Sequence, residues 1–185
     1  SLETIIGNAI CGDGAAAVVV GAPARTQNAP DGNDCGPLPA ITGFRTLLDT
    51  TYIDTVGFQH HEGRLRIVLS KDLRDTAGGM VRQVVEGILD EHRLKQSDID
   101  HWILHPGGRK IIDAVRAELG LTTEQVRHSS SVLKNFGNMS SPTVLFVLHE
   151  LVSTLPESGR PRPGERGVMV AMGPGLAVEG ALLAW

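Results

Sequence analysis

Apolar residues recur at three- and four-residue spacing between Asp72 and Lys95. Met80, Val84 and Ile88 form one row, and Val81, Val85 and Leu89 form the next. Two adjacent rows make a broad stripe, which predicts an amphipathic helix laid on a core. Elsewhere the period shortens. Arg64-Leu65-Arg66-Ile67-Val68-Leu69-Ser70 mostly alternates, as in a strand with one wet face, and Thr50 to Gly57 reads as another strand. After a helical end from Leu2 to Ile10, Gly12-Asp13-Gly14 feeds the small and β-branched run Ala15 to Val20, which suits a strand buried on both faces.

The second half of the chain continues the alternation of elements. Ser97 to Asp100 is a turn, and Trp102 to Leu104 is a short buried strand. A helix opens at Gly107, with Ile111, Ile112, Val115 and Leu119 inward and Gly120 at its C-terminal cap. Thr122 and Gln125 fit a capping box for a further short helix. Ser140 to Leu155 predicts a helix whose middle, Val144 to Leu148, is apolar on nearly every side and is therefore expected to be deeply buried. Gly167 to Met172 and Leu176 to Trp185 read as strands joined by Gly173-Pro174-Gly175. Strands alternating with helices predict a layered α/β fold. Residues 22–39, rich in Pro, Gly, Asn and Asp, read as a surface loop without chemistry.

Composition narrows the function classes. A chain of 185 residues is one domain or one half of a larger one, and 41% hydrophobic residues are enough for a full core. A net charge of −4 argues against a nucleic-acid or anionic-membrane surface, either of which wants a basic stripe. No run approaches the ~18 apolar residues of a membrane span. Ser1-Leu2-Glu3-Thr4 carries no basic segment leading into an apolar one, so no secretory leader is expected. Two cysteines, Cys11 and Cys35, are too few for a disulfide scaffold, and a cytoplasmic location is expected.

The candidate chemistry lies in two short motifs. His105-Pro106-Gly107-Gly108 follows the strand Trp102 to Leu104, and Gly137-Asn138-Met139-Ser140-Ser141 precedes the apolar helix. A histidine at the C-terminal end of a strand stands where α/β sheets place ligands. Gly107 and Gly108 allow close backbone approach and open a helix whose N–H groups favour negative charge. Asn138 reads either as a turn or cap residue or as an amide donor, and Ser140 and Ser141 offer themselves as the caps instead. One imidazole and one carboxamide supply two N–H donors to one oxygen, as stabilisation of a thioester oxyanion or enolate requires.

Other residues read more plainly. Asp13 between glycines is a turn former, and Cys11 lacks a neighbouring base and reads as a small residue lining a cavity. His60-His61-Glu62 suggests a metal pair, but adjacent strand residues face opposite ways and no third ligand follows, so no metal site is expected. Gly173-Pro174-Gly175 lacks a phosphate-loop lysine and reads as a turn shaping a pocket wall.

Gly12-Asp13-Gly14-Ala15-Ala16, His105-Pro106-Gly107-Gly108, Gly137-Asn138-Met139-Ser140-Ser141 and Gly173-Pro174-Gly175, in that order, resemble the C-terminal half of a chalcone-synthase-like (type III) polyketide synthase. The likeness runs from Leu2 to Trp185 outside the loop. Ser97 to Trp102, Arg127-His128-Ser129 and the tail from Arg162 resemble the bacterial dihydroxyphenylacetyl-CoA synthase branch, while Pro142 to Leu148 is also similar to alkylresorcinol and alkylpyrone synthases.

The resemblance implies residues 1–185 as one C-terminal domain of a thiolase-like layered fold, with a five-stranded mixed sheet and helices on both sides. It implies a homodimer and a Cys-His-Asn site that condenses malonyl-CoA onto an acyl-CoA starter, with CoA thioesters as substrates and no cofactor. His105 and Asn138 match the catalytic histidine and asparagine. Cys11 and Ile67 fall where plant members carry gatekeeping phenylalanines, and Met172 replaces an aromatic before the turn. With Gly107, Gly108, Ser140, Gly173 and Pro174, these three residues make up the expected substrate pocket. The family's nucleophilic cysteine belongs to an N-terminal half that this chain does not contain, so the chain is expected to be inactive without it. Two other readings stay open. One is a non-catalytic partner subunit of a complete synthase. The other is a ketoacyl synthase III-like condensing enzyme, against which the residues after His105 weigh.

Overall fold

The computed structural model describes residues 9–22, 38–70, 72–154 and 159–185. Most of the expected loop at 22–39 and nearly all of the expected helical end at 2–10 lie outside these residues. Among them, six strands and four α-helices run in the order β1 (Ala40–Leu48), β2 (Val56–His61), β3 (Arg64–Leu69), α1 (Leu73–Glu91), β4 (His101–Leu104), α2 (Arg109–Glu118), α3 (Arg127–Phe136), α4 (Pro142–His149), β5 (Arg166–Gly173) and β6 (Ala177–Ala184).

Four strands form one mixed sheet in the order β1-β6-β5-β4. The β1–β6 and β6–β5 pairs are antiparallel, and β5–β4 is parallel. Strands β2 and β3 form a separate antiparallel hairpin. Each sheet strand divides its side chains between two faces, as the strand period of two requires. On β4, Trp102 and Leu104 join a cluster with the α1 and α2 stripes, among them Val84, Ile88 and Ile112, while Ile103 joins Val132, Val144 and Val147 on the other face. All six stripe residues from Met80 to Leu89 are buried, as their spacing predicts. The layered α/β architecture with helices on both faces therefore matches expectation, with four strands rather than five among the described residues.

Four local expectations need correction. Thr50–Tyr52 is a 3-10 turn rather than part of a strand, because the Asp49 side chain accepts the Thr51 N–H and starts a turn. The strand that does precede it, Ala40–Leu48, has mixed exposure and no clean alternation to read. The run Ala15 to Val20 forms no strand, and Val18, Val19 and Val20 are exposed. A strand covered on both faces needs neighbours, and the described residues place none beside it. Helix α4 ends at His149 and gives way to a π-helical turn, Glu150–Thr154. Its apolar middle is buried on one side only. Thr143, Val144 and Val147 are buried, whereas Leu145, Phe146 and Leu148 are half-buried.

The capping features follow the sequence. The Thr122 N–H donates to Gln125 Oε1 and the Gln125 N–H to Thr122 Oγ1, a reciprocal box that closes the turn before α3. Gly120 has φ of +63°, the left-handed cap that ends α2. No helix among the described residues is long and apolar enough to cross a membrane.

Candidate functional site

Parallel pairing of β4 with β5 continues one residue past the strand, since the His105 N–H donates to Val170 O at 2.8 Å. This bond fixes the imidazole at the C-terminal edge of the sheet, beside Ala171 and Met172. The chain then turns, with the Gly107 N–H on His105 O at 3.0 Å, and enters α2. Burial makes the charged form of the imidazole costly and lowers the His105 pKa to about 4. The ring is therefore neutral near pH 7 and carries one N–H. No group among the described residues hydrogen-bonds to it.

Asn138 arrives on the connection between α3 and α4. Gly137, with φ of +74°, turns the chain out of α3. Residues 10–12 then pair with Asn138 as a short parallel bridge, the Asn138 N–H donating to Ile10 O at 2.8 Å and the Gly12 N–H to Asn138 O at 3.0 Å. A Cβ at Gly12 would collide with Phe136 O, so the close approach of this segment requires glycine.

The carboxamide is oriented at both ends. Asn138 Oδ1 accepts the Ser140 N–H at 2.9 Å, and Asn138 Nδ2 donates to Gly107 O at 3.2 Å. Ser140 adopts φ of +66°, which turns its N–H back onto the asparagine. The turn-forming and donor readings of Asn138 are thus compatible, because the oxygen closes the turn while the nitrogen faces the His105 loop. Each Nδ2 carries two hydrogens, and the second has no acceptor among the described residues. Gly107 links the two groups: the point where its Cβ would stand lies 3.8 Å from His105 Nε2, and its carbonyl holds the amide.

Ser140 and Ser141 do not cap α4 with their side chains. Ser141 is the N-cap residue without a side-chain bond, and Thr143 Oγ1 instead donates to Ser140 O at 2.7 Å and accepts the Met139 N–H at 2.9 Å.

His105 and Asn138 share the wall of a cavity of about 540 Å³. Of the expected pocket residues, Cys11, Gly107, Ser140, Met172, Gly173 and Pro174 line it. Gly108 does not. It is the N-cap residue of α2, and the nearest side chain to its missing Cβ is Ile10. Ile67 pairs with Phe58 across the hairpin, and its side chain lies outside the described residues. Sequence reasoning missed Phe58, Leu73, Met139, Ala171, Ala177 and Glu179, which also line the cavity. A signal for the last two existed, since a strand period of two puts Ala177 and Glu179 on one face of β6. The approach of the β2–β3 hairpin left no local trace. Among the described residues no group of three or more His, Cys, Asp or Glu stands ready to hold a metal ion.

Residues 45–184 match the family described as chalcone and stilbene synthases, C-terminal domain. A 3,5-dihydroxyphenylacetyl-CoA synthase from Streptomyces toyocaensis is 36% identical over 189 residues, an alignment that takes in all of this chain and 46% of that protein. Among solved structures, the polyketide synthase PKS-I of the brown alga Ectocarpus siliculosus superposes with a TM-score of 0.72 at 30% identity, covering 86% of this chain and 41% of that one. The 1,3,6,8-tetrahydroxynaphthalene synthase of Streptomyces coelicolor gives 0.71 at 25% identity, covering 80% and 41%. The chain thus spans about half the length of the relatives it matches.

Proposed function

The chain belongs to the chalcone and stilbene synthases as their C-terminal domain, and from that membership we propose that it supplies the histidine and asparagine of a Cys-His-Asn site. The site decarboxylates malonyl-CoA and condenses the product onto an acyl-CoA starter. The nucleophilic cysteine comes from an N-terminal half with which this chain completes the synthase, and the complete enzyme works as a cytoplasmic homodimer. CoA thioesters are its substrates, and it needs no cofactor.

The reaction runs in three balanced steps. The cysteine thiolate attacks the starter thioester and releases CoA as the thiol after protonation. The malonyl C–C bond then breaks to carbon dioxide and an enolate, whose charge rests on the thioester oxygen. The enolate carbon attacks the cysteine-bound acyl group, forming the new C–C bond and freeing the thiolate. His105 and the uncommitted Nδ2–H of Asn138 donate to that oxygen while it is anionic. In a low-dielectric site such preorganised donors act where charge develops, each worth ~3–4 kcal/mol. A thiolate beside His105 also favours the imidazolium, so the low pKa of the ring in this chain rises when the cysteine arrives.

The observation that carries this reading is the shared cavity wall, with a carboxamide fixed so that its nitrogen meets the His105 loop. Asn138→Ala in the complete synthase is expected to slow malonyl-CoA decarboxylation about 100- to 1,000-fold. The check is radiolabelled carbon dioxide release with the cysteine still titratable. Undiminished release refutes the role given to Asn138.

A further inference from the structure

Strand β6 places one acidic side chain on the wall of the cavity. Val178 and Gly180 turn toward α1, where the missing Cβ of Gly180 would meet Val84 and Ile88. Ala177 and Glu179 therefore turn to the opposite face, and both line the cavity. Glu179 is the only carboxylate among the described lining residues. Its neighbours on that wall are apolar: Ala171 lies directly across on β5, with Met172, Ala177 and Phe58 in the same cavity.

The carboxylate is also oriented. Thr46 stands opposite Glu179 on β1, and its Oγ1 donates to Glu179 Oε2 at 2.5 Å. One hydroxyl leaves most of the acceptor capacity of a carboxylate unfilled. Two groups that are both fixed by a β-ladder present that capacity in one place. Glu179 is exposed in this chain, so water serves the carboxylate until an acyl chain covers the wall, and a donor must then replace that water.

We infer that Glu179 is a specificity-determining residue, a fixed hydrogen-bond acceptor that selects an acyl chain bearing a hydroxyl group in the cavity. The inference rests on the condensing reading above. The hydroxyl has two sources, a hydroxylated starter or the enol of the growing chain, and both offer the same O–H to the same oxygen.

The experiment uses the complete synthase with Glu179→Gln, which keeps the shape and an oxygen for Thr46, and with Glu179→Leu, which keeps neither. Matched acyl-CoA starters with and without a hydroxyl are assayed for kcat and KM, and products are read by mass. If the starter supplies the hydroxyl, the wild-type preference for the hydroxylated member falls about 10- to 100-fold through KM, the range of a hydrogen bond to a charged group. Turnover of the plain starter changes by a smaller factor than that of its hydroxylated match. If the growing chain supplies it, starter preference holds and the product masses shift to different chain lengths or ring closures with the plain starter. Thr46→Val moves the same readout by a smaller factor. Unchanged preference and unchanged products in Glu179→Gln overturn the inference. Malonyl-CoA decarboxylation separates the two claims: its absence in the unsubstituted synthase sinks the condensing reading, and its persistence in every Glu179 variant isolates the effect to selection.

Discussion

The two faces of the sheet are built from the same strands and end in opposite states. Toward α1 and α2, the inward side chains of β4, β5 and β6 meet a complete cover. Val84, Ile88, Trp102, Val168, Val178 and Leu182 are each no more than 3% exposed. Toward α4 the cover stops short. Ala181 and Leu183 are buried beneath it, but Phe44, in register with Ala181 on β1, is 71% exposed, and Leu48, in register with Ala177, is 59% exposed. The closed face holds the fold together. The cavity opens at the C-terminal edge of the sheet, where Leu73, Ile111 and Met172 of the closed-face cluster meet Met139, Val144 and Ala171 of the other, and both candidate catalytic side chains stand on its wall. The difference places the candidate site beside unfinished packing, in a chain that spans about half the length of the relatives it matches.

The largest effect expected from this contrast is on the closed face. Ile88 is 1% exposed and packs in the α1 cluster. Ile88→Ala is expected to cost about 2–5 kcal/mol, the range for deleting a buried aliphatic side chain and leaving its cavity. Urea unfolding measures it. A comparable loss from Phe44→Ser, on the open face, would erase the distinction between the two.

The sequence made the closed face legible and the open face only in part. The α1 stripe, Trp102 to Leu104 and the β5–β6 hairpin follow from periodicity and turn residues, because each satisfies its pattern within this chain. The run Ala15 to Val20 does not, since its composition suits a strand with neighbours that the described residues do not place beside it. Helix α4 fails in the same way: Val144 to Leu148 reads as buried all round, yet Leu145, Phe146 and Leu148 are half-buried. The candidate site was legible where local residue chemistry pointed to it. His105 and Asn138 sit beside glycines at element ends. The strand period of two ties Glu179 to the face of Ala177, and the sheet register shows which face that is and that it meets the cavity.

A smaller effect comes from the imidazole on the cavity wall. The unfolded chain binds a proton at His105 near the ordinary histidine value of ~6.5, while the folded chain binds it only near pH 4. Between those values the unfolded state holds more protons, so stability is full above the unfolded value and falls as pH drops through this window. The loss approaches about 3 kcal/mol by pH 4. Denaturant midpoints from pH 7.5 to 4.5 follow it, and His105→Gln is expected to flatten much of the slope. On the proposed Cys-His-Asn reading, a thiolate beside His105 would flatten it as well, by raising the folded pKa. An unchanged slope in His105→Gln assigns the pH dependence to other groups.

The smallest effect on stability, and the most direct test of the open face, is Phe44→Ser. Phe44 is largely exposed, so its removal is expected to change the unfolding free energy of this chain by less than ~0.5 kcal/mol. Its consequence lies in association. Phe44 and Leu48 are exposed apolar side chains on one face of the edge strand β1, either side of Thr46, and exposed apolar groups of this kind mark surfaces that another polypeptide covers. The chain by itself is therefore expected to self-associate, and Phe44→Ser with Leu48→Ser is expected to shift it toward monomer in sedimentation velocity at equal concentration. If the proposed cysteine-bearing half is the polypeptide that covers this surface, the same pair of substitutions is expected to weaken complex formation with it while leaving the melting of this domain unchanged. A wild-type chain that sediments as a single monomeric species and melts cooperatively would mean that the α4 face is closed in solution without a partner, and the contrast between the two faces would lose its functional meaning.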